Sequence, residues 1–363
     1  MSHLAFVFPG QGSQYVGMGR ALAEISPAAA AVFRTADKAL GEPISRLAWE
    51  GPEEDLNRTE NSQPALLAAS VAYLAVVRER WAELQVDVPD PVFAAGHSMG
   101  QYTALVAAGA LDLADAVRLV RTRGQLMQSS GAGREGRMAA IIGLDDARLP
   151  ELVAQASEHG IFGVANRNSP GQVVVSGERA AVEAALGIAK TLGARRAIEL
   201  PVSVAAHSPL MAEAAEGMAK VLADITFRDP RPPLLANADA TPITTADACR
   251  AELVNHLTTG VDWVGAVRAM RAKGVTMFLE VGPGQVLTGL VKRIVNDAIV
   301  LPLDDKLSAD RLAIPFPHFM ARPFVFRILE LRFHFGAKQR QADQPHRNLP
   351  DGPPAVADQP FDK

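Results

Sequence analysis

Cysteine is almost absent from this chain. Cys249 stands alone among 363 residues, which excludes an internal disulfide framework and a cysteine-built metal cluster. Positive charge is not in excess either. Lys and Arg number 36 against 40 Asp and Glu, a formal net charge of −4, and no strip of interleaved basic and aromatic residues runs through the first 300 positions. Nucleic acid is therefore not an expected partner. No apolar run is long enough to cross a bilayer, and the apolar stretch at 4–8 is too short for a signal peptide. A cytoplasmic, metal-free protein is expected. Nor is there a nucleotide phosphate loop: no Gly-Lys-Ser/Thr follows Pro9-Gly10-Gln11-Gly12-Ser13-Gln14, and its glycines do not fit G-x-G-x-x-G. What is plentiful is core material. With 48% hydrophobic and 21% charged residues, the chain suffices for one large α/β domain and a subsidiary one.

The rest of the chain is organised around residues 91–109. A short apolar run reaches Gly96, an alanine-rich, helix-favouring run starts after Ser98, and Gly96-His97-Ser98-Met99-Gly100 joins them. Two glycines around a serine suit a sharp strand-to-helix turn that lifts the hydroxyl to the tip of a strand, beside amides able to hold an anion. Two readings follow from these residues: a nucleophile, or an ordinary turn with a serine cap. The run 4–8 reads as a buried strand feeding a flexible loop that can aim Gln11 into a site.

Residues 54–80 read as one helix, capped by Ser62 or Gln63 with Pro64 in its first turn. A second amphipathic helix covers 112–128. Within it Arg123 lies against the apolar side, where a guanidinium needs an anionic partner. That partner could be a structural carboxylate or a ligand. After a glycine-rich linker at 129–137, strands and helices alternate as βαββαβ: strands at 138–142, 162–166, 172–176 and 195–202, helices at 146–159 and 179–192. This is the order of a small ferredoxin-like unit. The expected fold is thus α/β, a large hydrolase-like domain with a parallel sheet (1–132 and 203–305) carrying an inserted ferredoxin-like subdomain (133–202).

The large domain resumes with an extended run into His207 and a helix from Ser208 to 222, which puts His207 at a strand-to-helix junction, where open α/β sheets place their sites. His97 abuts the serine but points away from it. Discounting histidines at the terminus, in the insert and in the tail leaves His207 and His256 as general-base candidates. A strand at 274–281 ends in Gly282-Pro283-Gly284, before a helix at 286–295. From Lys306 to 363 the character changes to an atypical, partly disordered tail, in which Phe324, Ile328, Leu331 and Phe335 could line a short helix.

Taken together, seven segments carry a resemblance. They are Phe8-Pro9-Gly10-Gln11-Gly12-Ser13-Gln14, Gln63-Pro64-Ala65-Leu66, Gly96-His97-Ser98-Met99-Gly100, Arg123-Gly124-Gln125-Leu126-Met127-Gln128, Asn168-Ser169-Pro170-Gly171-Gln172, Pro201-Val202-Ser203 with His207, and Glu280-Val281-Gly282-Pro283-Gly284. In this order the chain resembles the malonyl-CoA:acyl carrier protein transacylase family over residues 4 to 303. The resemblance implies transfer of malonyl from malonyl-CoA to the phosphopantetheine thiol of acyl carrier protein by a ping-pong route. It implies Ser98 as nucleophile, His207 as base, the Gln11 and Met99 amides as oxyanion hole, and Arg123 as clamp for the malonyl carboxylate. Gln63 and Ala206 belong to the substrate site, with Ala206 and Met99 shaping the wall near C2 of the acyl group. A backbone carbonyl orients the histidine in the family, and His256 stands at that position in place of the usual glutamine. No resident cofactor is implied, and a monomer is expected. Gln101 departs from a usual glutamate, and the tail from Lys306 has no counterpart.

Three other readings compete. A serine thioesterase would need an acid paired with the histidine; Asp145 and Asp146 precede His207 but fall in the inserted unit. A polyketide or malonate decarboxylase acyltransferase would share the motifs. An inactive scaffold would keep the fold without the chemistry. For carrier docking, Arg195, Arg196, Lys292 and Arg293 are candidates for a basic rim.

Overall fold

The computed structural model describes residues 3–83, 85, 90–130, 135–202 and 204–303, all within one compact unit. The tail from Lys306, part of the glycine-rich linker and Ser203 lie outside the described residues, as do the expected domain boundaries at 132/133, 202/203 and 305. Among the described residues no helix is long and apolar enough to cross a membrane.

Eleven strands among those residues make two sheets. In chain order they are β1 (His3–Phe8), β2 (Phe93–Gly96), β3 (Gly136–Ile142), β4 (Phe162–Ser169), β5 (Gln172–Glu178), β6 (Arg196–Glu199), β7 (Leu234–Leu235), β8 (Pro242–Ile243), β9 (Val261–Asp262), β10 (Val275–Val281) and β11 (Ile299–Leu303). The larger sheet runs β11-β10-β1-β2-β7-β8, parallel except for the β7–β8 hairpin. Its central strands are continuously apolar because helices cover both faces. Phe93, Ala95, Trp263, Val267, Met270 and Phe278 pack in one such layer. Phe8 pairs with Gly96, so the loop carrying Gln11 and the turn carrying Ser98 leave neighbouring strands at the same level. Their carboxyl ends form the crevice that open parallel sheets use for sites.

The smaller sheet runs β6-β3-β5-β4-β9, its first three pairings antiparallel. Strands β3 to β6, with the helices Leu149–Ser157 and Arg179–Thr191, reproduce the ferredoxin-like order around Ile141, Leu152, Val175 and Val182. Pro170 and Gly171 turn β4 into β5, Gly171 taking the positive φ (+68°) that such a turn needs. The unit is not closed on itself. Strand β9, from the later part of the chain, adds in parallel to the edge of β4.

Several expected boundaries move. The helix read over 54–80 is two, Glu53–Asn57 and Thr59–Glu83, divided by an extended Arg58. Ser62 and Gln63 are therefore buried inside the second helix rather than capping it, and Pro64 sits in its second turn. At that level Gly124 of the helix Leu113–Ser130 approaches so closely that a Cβ would lie 2.5 Å from Glu60 Cα. The strand read to 202 ends at Glu199, since Pro201 has no N–H to continue the ladder. His207 consequently stands in an irregular loop and not at a strand's end. Its φ is +59°, and Ser208 behind it caps the short 3-10 turn Pro209–Met211, which leads into the helix Ala212–Ala223.

Candidate active site

The serine turn explains its own glycines. A Cβ on Gly96 would fall 1.9 Å from the Gly100 carbonyl carbon, and one on Gly100 would fall 2.3 Å from the Phe8 carbonyl oxygen. Only glycine fits at both places. Between them Ser98 is forced to φ +50°, a left-handed conformation costly for a residue with a side chain and characteristic of functional sites. The turn is held from behind. Gln101, wholly buried, accepts from the Gly96 N–H at 3.1 Å and donates to the Leu235 carbonyl at 2.9 Å. A carboxylate at 101 could not make that donation, so the amide is the better fit here.

Ser98 Oγ lies 2.8 Å from His207 Nε2. On the far side of the ring, Nδ1 is 3.0 Å from the His256 carbonyl and 2.8 Å from that of Thr259. Carbonyls only accept, so Nδ1 carries the hydrogen and the Nε2 lone pair faces the serine hydroxyl. Burial, and then the Arg123 charge, lower the His207 pKa from 6.5 to about 3. The imidazole is neutral and able to take a proton. Among the described residues no carboxylate contacts His207. Asp145 caps the 3-10 turn Asp146–Arg148 and Asp146 binds the Gly171 N–H, which removes the acid that a thioesterase triad would require. The second base candidate, His256, is buried with Nε2 3.2 Å from Asn237 Oδ1. It meets His207 through its carbonyl, as the resemblance implies, but shares that duty with Thr259.

Arg123 is 1% exposed. Its guanidinium donates to Gln63 Oε1 at 2.9 Å and to Ser98 Oγ at 3.1 Å, while its Nε finds no acceptor among the described residues. Tyr102 lies with its ring centroid 5.8 Å from the guanidinium carbon, and burial pushes its phenol pKa up to about 12, so it supplies no counter-charge. No ion pair involves Arg123 among the described residues. A buried cation beside a serine hydroxyl, held by neutral groups alone, is an anion site in waiting. Desolvation lowers the Arg123 pKa without any carboxylate to restore it.

The remaining predicted residues fall around this centre. Gln63 joins Arg123 to Met127 through its amide, Nε2 to Sδ at 3.5 Å. Gln11 is exposed, and its side chain donates to Thr59 Oγ1 at 3.3 Å. The backbone amides of Gln11 and Met99 have no acceptor among the described residues. Ala206 is buried in the loop that carries His207. His97 turns away from Ser98, its Nε2 2.8 Å from Asn168 Oδ1 on β4. Three contributors escape the sequence reading: the Thr259 carbonyl, Asn237 and Glu252. A backbone carbonyl leaves no mark in a sequence, and Asn237 and Glu252 sit in no motif. Arg195, Arg196, Lys292 and Arg293 are exposed, Arg293 donating to Gln172 Oε1 at 2.6 Å. Among the described residues no cluster of three or more His, Cys, Asp or Glu could hold a metal ion.

The family described as the acyl transferase domain matches residues 5–311. Malonyl CoA-acyl carrier protein transacylase of Escherichia coli K12 is 47% identical over 305 residues, 84% of this chain and 97% of the relative. The enzyme of the same name from Bacillus subtilis 168 is 44% identical over 295 residues, 81% and 91% of the two chains. Among solved structures, an acyl carrier protein S-malonyltransferase from Vibrio cholerae superposes with a TM-score of 0.81 at 44% identity, covering 86% of this chain and all (100%) of the other. A malonyl-transacylase solved in complex with its type II polyketide acyl-carrier protein gives 0.79, also at 44% identity, with coverage of 84% and 96%.

Proposed function

The chain belongs to the acyl transferase domain family, and from that premise we propose that it carries malonyl from malonyl-CoA to the phosphopantetheine thiol of an acyl carrier protein through an ester on Ser98. One observation carries the reading: Ser98 Oγ stands between a neutral imidazole at 2.8 Å and a buried, carboxylate-free guanidinium at 3.1 Å.

In the first half-reaction Ser98 Oγ attacks the thioester carbonyl while its proton passes to His207 Nε2, a transfer worth roughly 10²–10⁴ in rate. The imidazolium that forms keeps its Nδ1–H on the carbonyls of His256 and Thr259. The Gln11 and Met99 amides receive the oxyanion, each worth on the order of 10²–10³ in kcat. Collapse of the tetrahedral adduct breaks the C–S bond, and the CoA sulfur leaves with the proton held on His207. Malonyl waits on Ser98 with its carboxylate on Arg123, beside Gln63. The carrier thiol then gives its proton to His207, attacks the ester and regenerates Ser98. Both thiols use one site, so the order is ping-pong. These steps draw on no resident cofactor, and the cytoplasm, with its reduced thiols, is the fitting setting.

Arg195, Arg196, Lys292 and Arg293 are the side chains proposed to meet an acidic carrier. The test is to mix the protein with malonyl-CoA and carrier protein bearing a free phosphopantetheine thiol, and follow where malonyl goes. Malonyl on the carrier thiol is expected, with a rate that falls as salt rises. Release of free malonate at the same rate with or without carrier would make the protein a thioesterase instead. Fatty-acid and polyketide carriers offered side by side would show which one it serves.

A further inference from the structure

We propose that Asn237 is a positioning residue that ties the Ser98 turn to the support of His207 and decides which backbone amide faces the substrate. Asn237 follows β7 and is 4% exposed. Its side-chain Oδ1 accepts the Ser98 N–H at 2.9 Å, and Nδ2 donates to the Gly96 carbonyl at 2.9 Å. One carboxamide thus grips the turn on both sides of His97. The same Oδ1 lies 3.2 Å from His256 Nε2, and the next atoms along that residue lead to the carbonyl that holds His207 Nδ1. The backbone of Asn237 is fixed in turn, its N–H on Glu252 Oε1 at 2.7 Å and its carbonyl on the Asp262 N–H at 2.6 Å.

This arrangement has a use that core packing alone does not require. Ser98 holds a left-handed φ that the chain must be made to keep. Two bonds from one planar amide, to the N–H of Ser98 and the carbonyl of Gly96, hold it there. Once Asn237 has taken the Ser98 amide, the next amide, that of Met99, is the one left for an oxyanion. The third contact places the support of the base on the same side chain as the turn of the nucleophile. Nucleophile and base are then registered through one residue, 139 positions from Ser98 and 19 from His256.

The inference rests on Ser98 being the acylated group, and the experiment separates the two failures. Rapid mixing with malonyl-CoA, read by quenched-flow mass measurement, gives the rate and amplitude of Ser98 acylation per folded protein. Asn237→Ala is expected to slow acylation by about 10²–10³-fold, the scale of a misplaced oxyanion donor, with KM changed by less than about threefold. Asn237→Asp keeps the shape and the Oδ1 acceptor but faces the Gly96 carbonyl with an oxygen. Protonated, it can donate there again, so its rate relative to wild type is expected to recover at least about tenfold as pH falls from about 8 to about 5. The ionisable groups around position 237 are Glu252, Asp239 and His256, with His207 and Arg123 behind them, and the wild-type profile over the same range carries their effects. A merely structural Asn237 would lower Tm yet leave the acylation rate and pH profile of the folded fraction at wild-type values. That result would overturn the proposal, as would failure of both variants to fold. Absence of any acylation in the wild type would instead refute Ser98 as the acylated group.

Discussion

Replacing Arg123 by alanine tests how the site chooses its acyl group. In the folded protein Arg123 is 1% exposed, its guanidinium hydrogen-bonded to Gln63 and Ser98 and set against the Tyr102 ring, and among the described residues it meets no carboxylate. A malonyl carboxylate would add charge-assisted bonds worth about 1.5–3 kcal/mol. An acetyl group would instead seal the cation in with no anion, at a further cost of about 1–3 kcal/mol. The preference assigned to Arg123 is therefore about 2.5–6 kcal/mol, roughly 10²–10⁴ in the ratio of the two kcat/KM values. Absolute rates are a poor measure, because the same guanidinium also donates to Ser98 Oγ and its loss disturbs the nucleophile whatever the substrate. The ratio cancels that common part. Competition between malonyl-CoA and acetyl-CoA for serine acylation, scored by mass, should show the malonyl preference of Arg123→Ala collapsing by at least about 10²-fold, with acetyl transfer gaining relative to malonyl. A variant that kept the wild-type ratio while losing stability would make Arg123 a structural cation and refute the clamp.

Other consequences can be measured independently. Gly124→Ala would thrust a methyl to within 2.5 Å of the Glu60 backbone, across the contact that sets Gln63 against Arg123. A loss of about 1–3 kcal/mol or more is expected in denaturant unfolding, together with a reduced malonyl-to-acetyl ratio; unchanged stability would show that the two helices have slack. Burial raises the Glu252 pKa from 4.5 to about 7, so the folded state holds a proton that the unfolded chain releases. Its contribution is complete below pH 4.5 and is lost as pH climbs to about 7, by up to about 3 kcal/mol. His207 works in the opposite sense. Its pKa is depressed to about 3, so it favours folding as pH rises towards 6.5. Glu252→Gln should therefore gain stability over wild type at neutral pH but not below pH 4.5, and an equal difference at both would contradict the buried carboxyl. Because His207 is neutral through its usual pKa of 6.5, the rate of serine acylation should show no fall on crossing that pH. A sharp loss there would mean the imidazole titrates normally.

What could be read from the sequence was whatever sterics or polarity imposes locally. Gly96 and Gly100 announce the serine turn because the backbones of Gly100 and Phe8 leave no room for a methyl. Arg123 on an apolar helix face signals a cation that needs a partner, and the fold buries it beside Ser98. The βαββαβ order was legible from alternating patterns, but the addition of β9 to its edge was not, since a two-residue strand has no period. The place of His207 is hard to read for a similar reason. An extended apolar run looks like strand, yet Pro201 stops the ladder and the residues beyond it loop to the imidazole. Least legible was the support. Thr259 acts through a carbonyl, while Asn237 and Glu252 do nothing recognisable until the fold brings them behind Ser98.

The most direct measurement is the intact mass of the protein after brief exposure to malonyl-CoA without carrier, with peptide mapping of any adduct. One malonyl ester on Ser98 is expected, absent in Ser98→Ala and discharged when carrier protein bearing a free phosphopantetheine thiol is added. An adduct that survives in Ser98→Ala, or a wild-type protein that stays unmodified, would contradict the assignment of that hydroxyl.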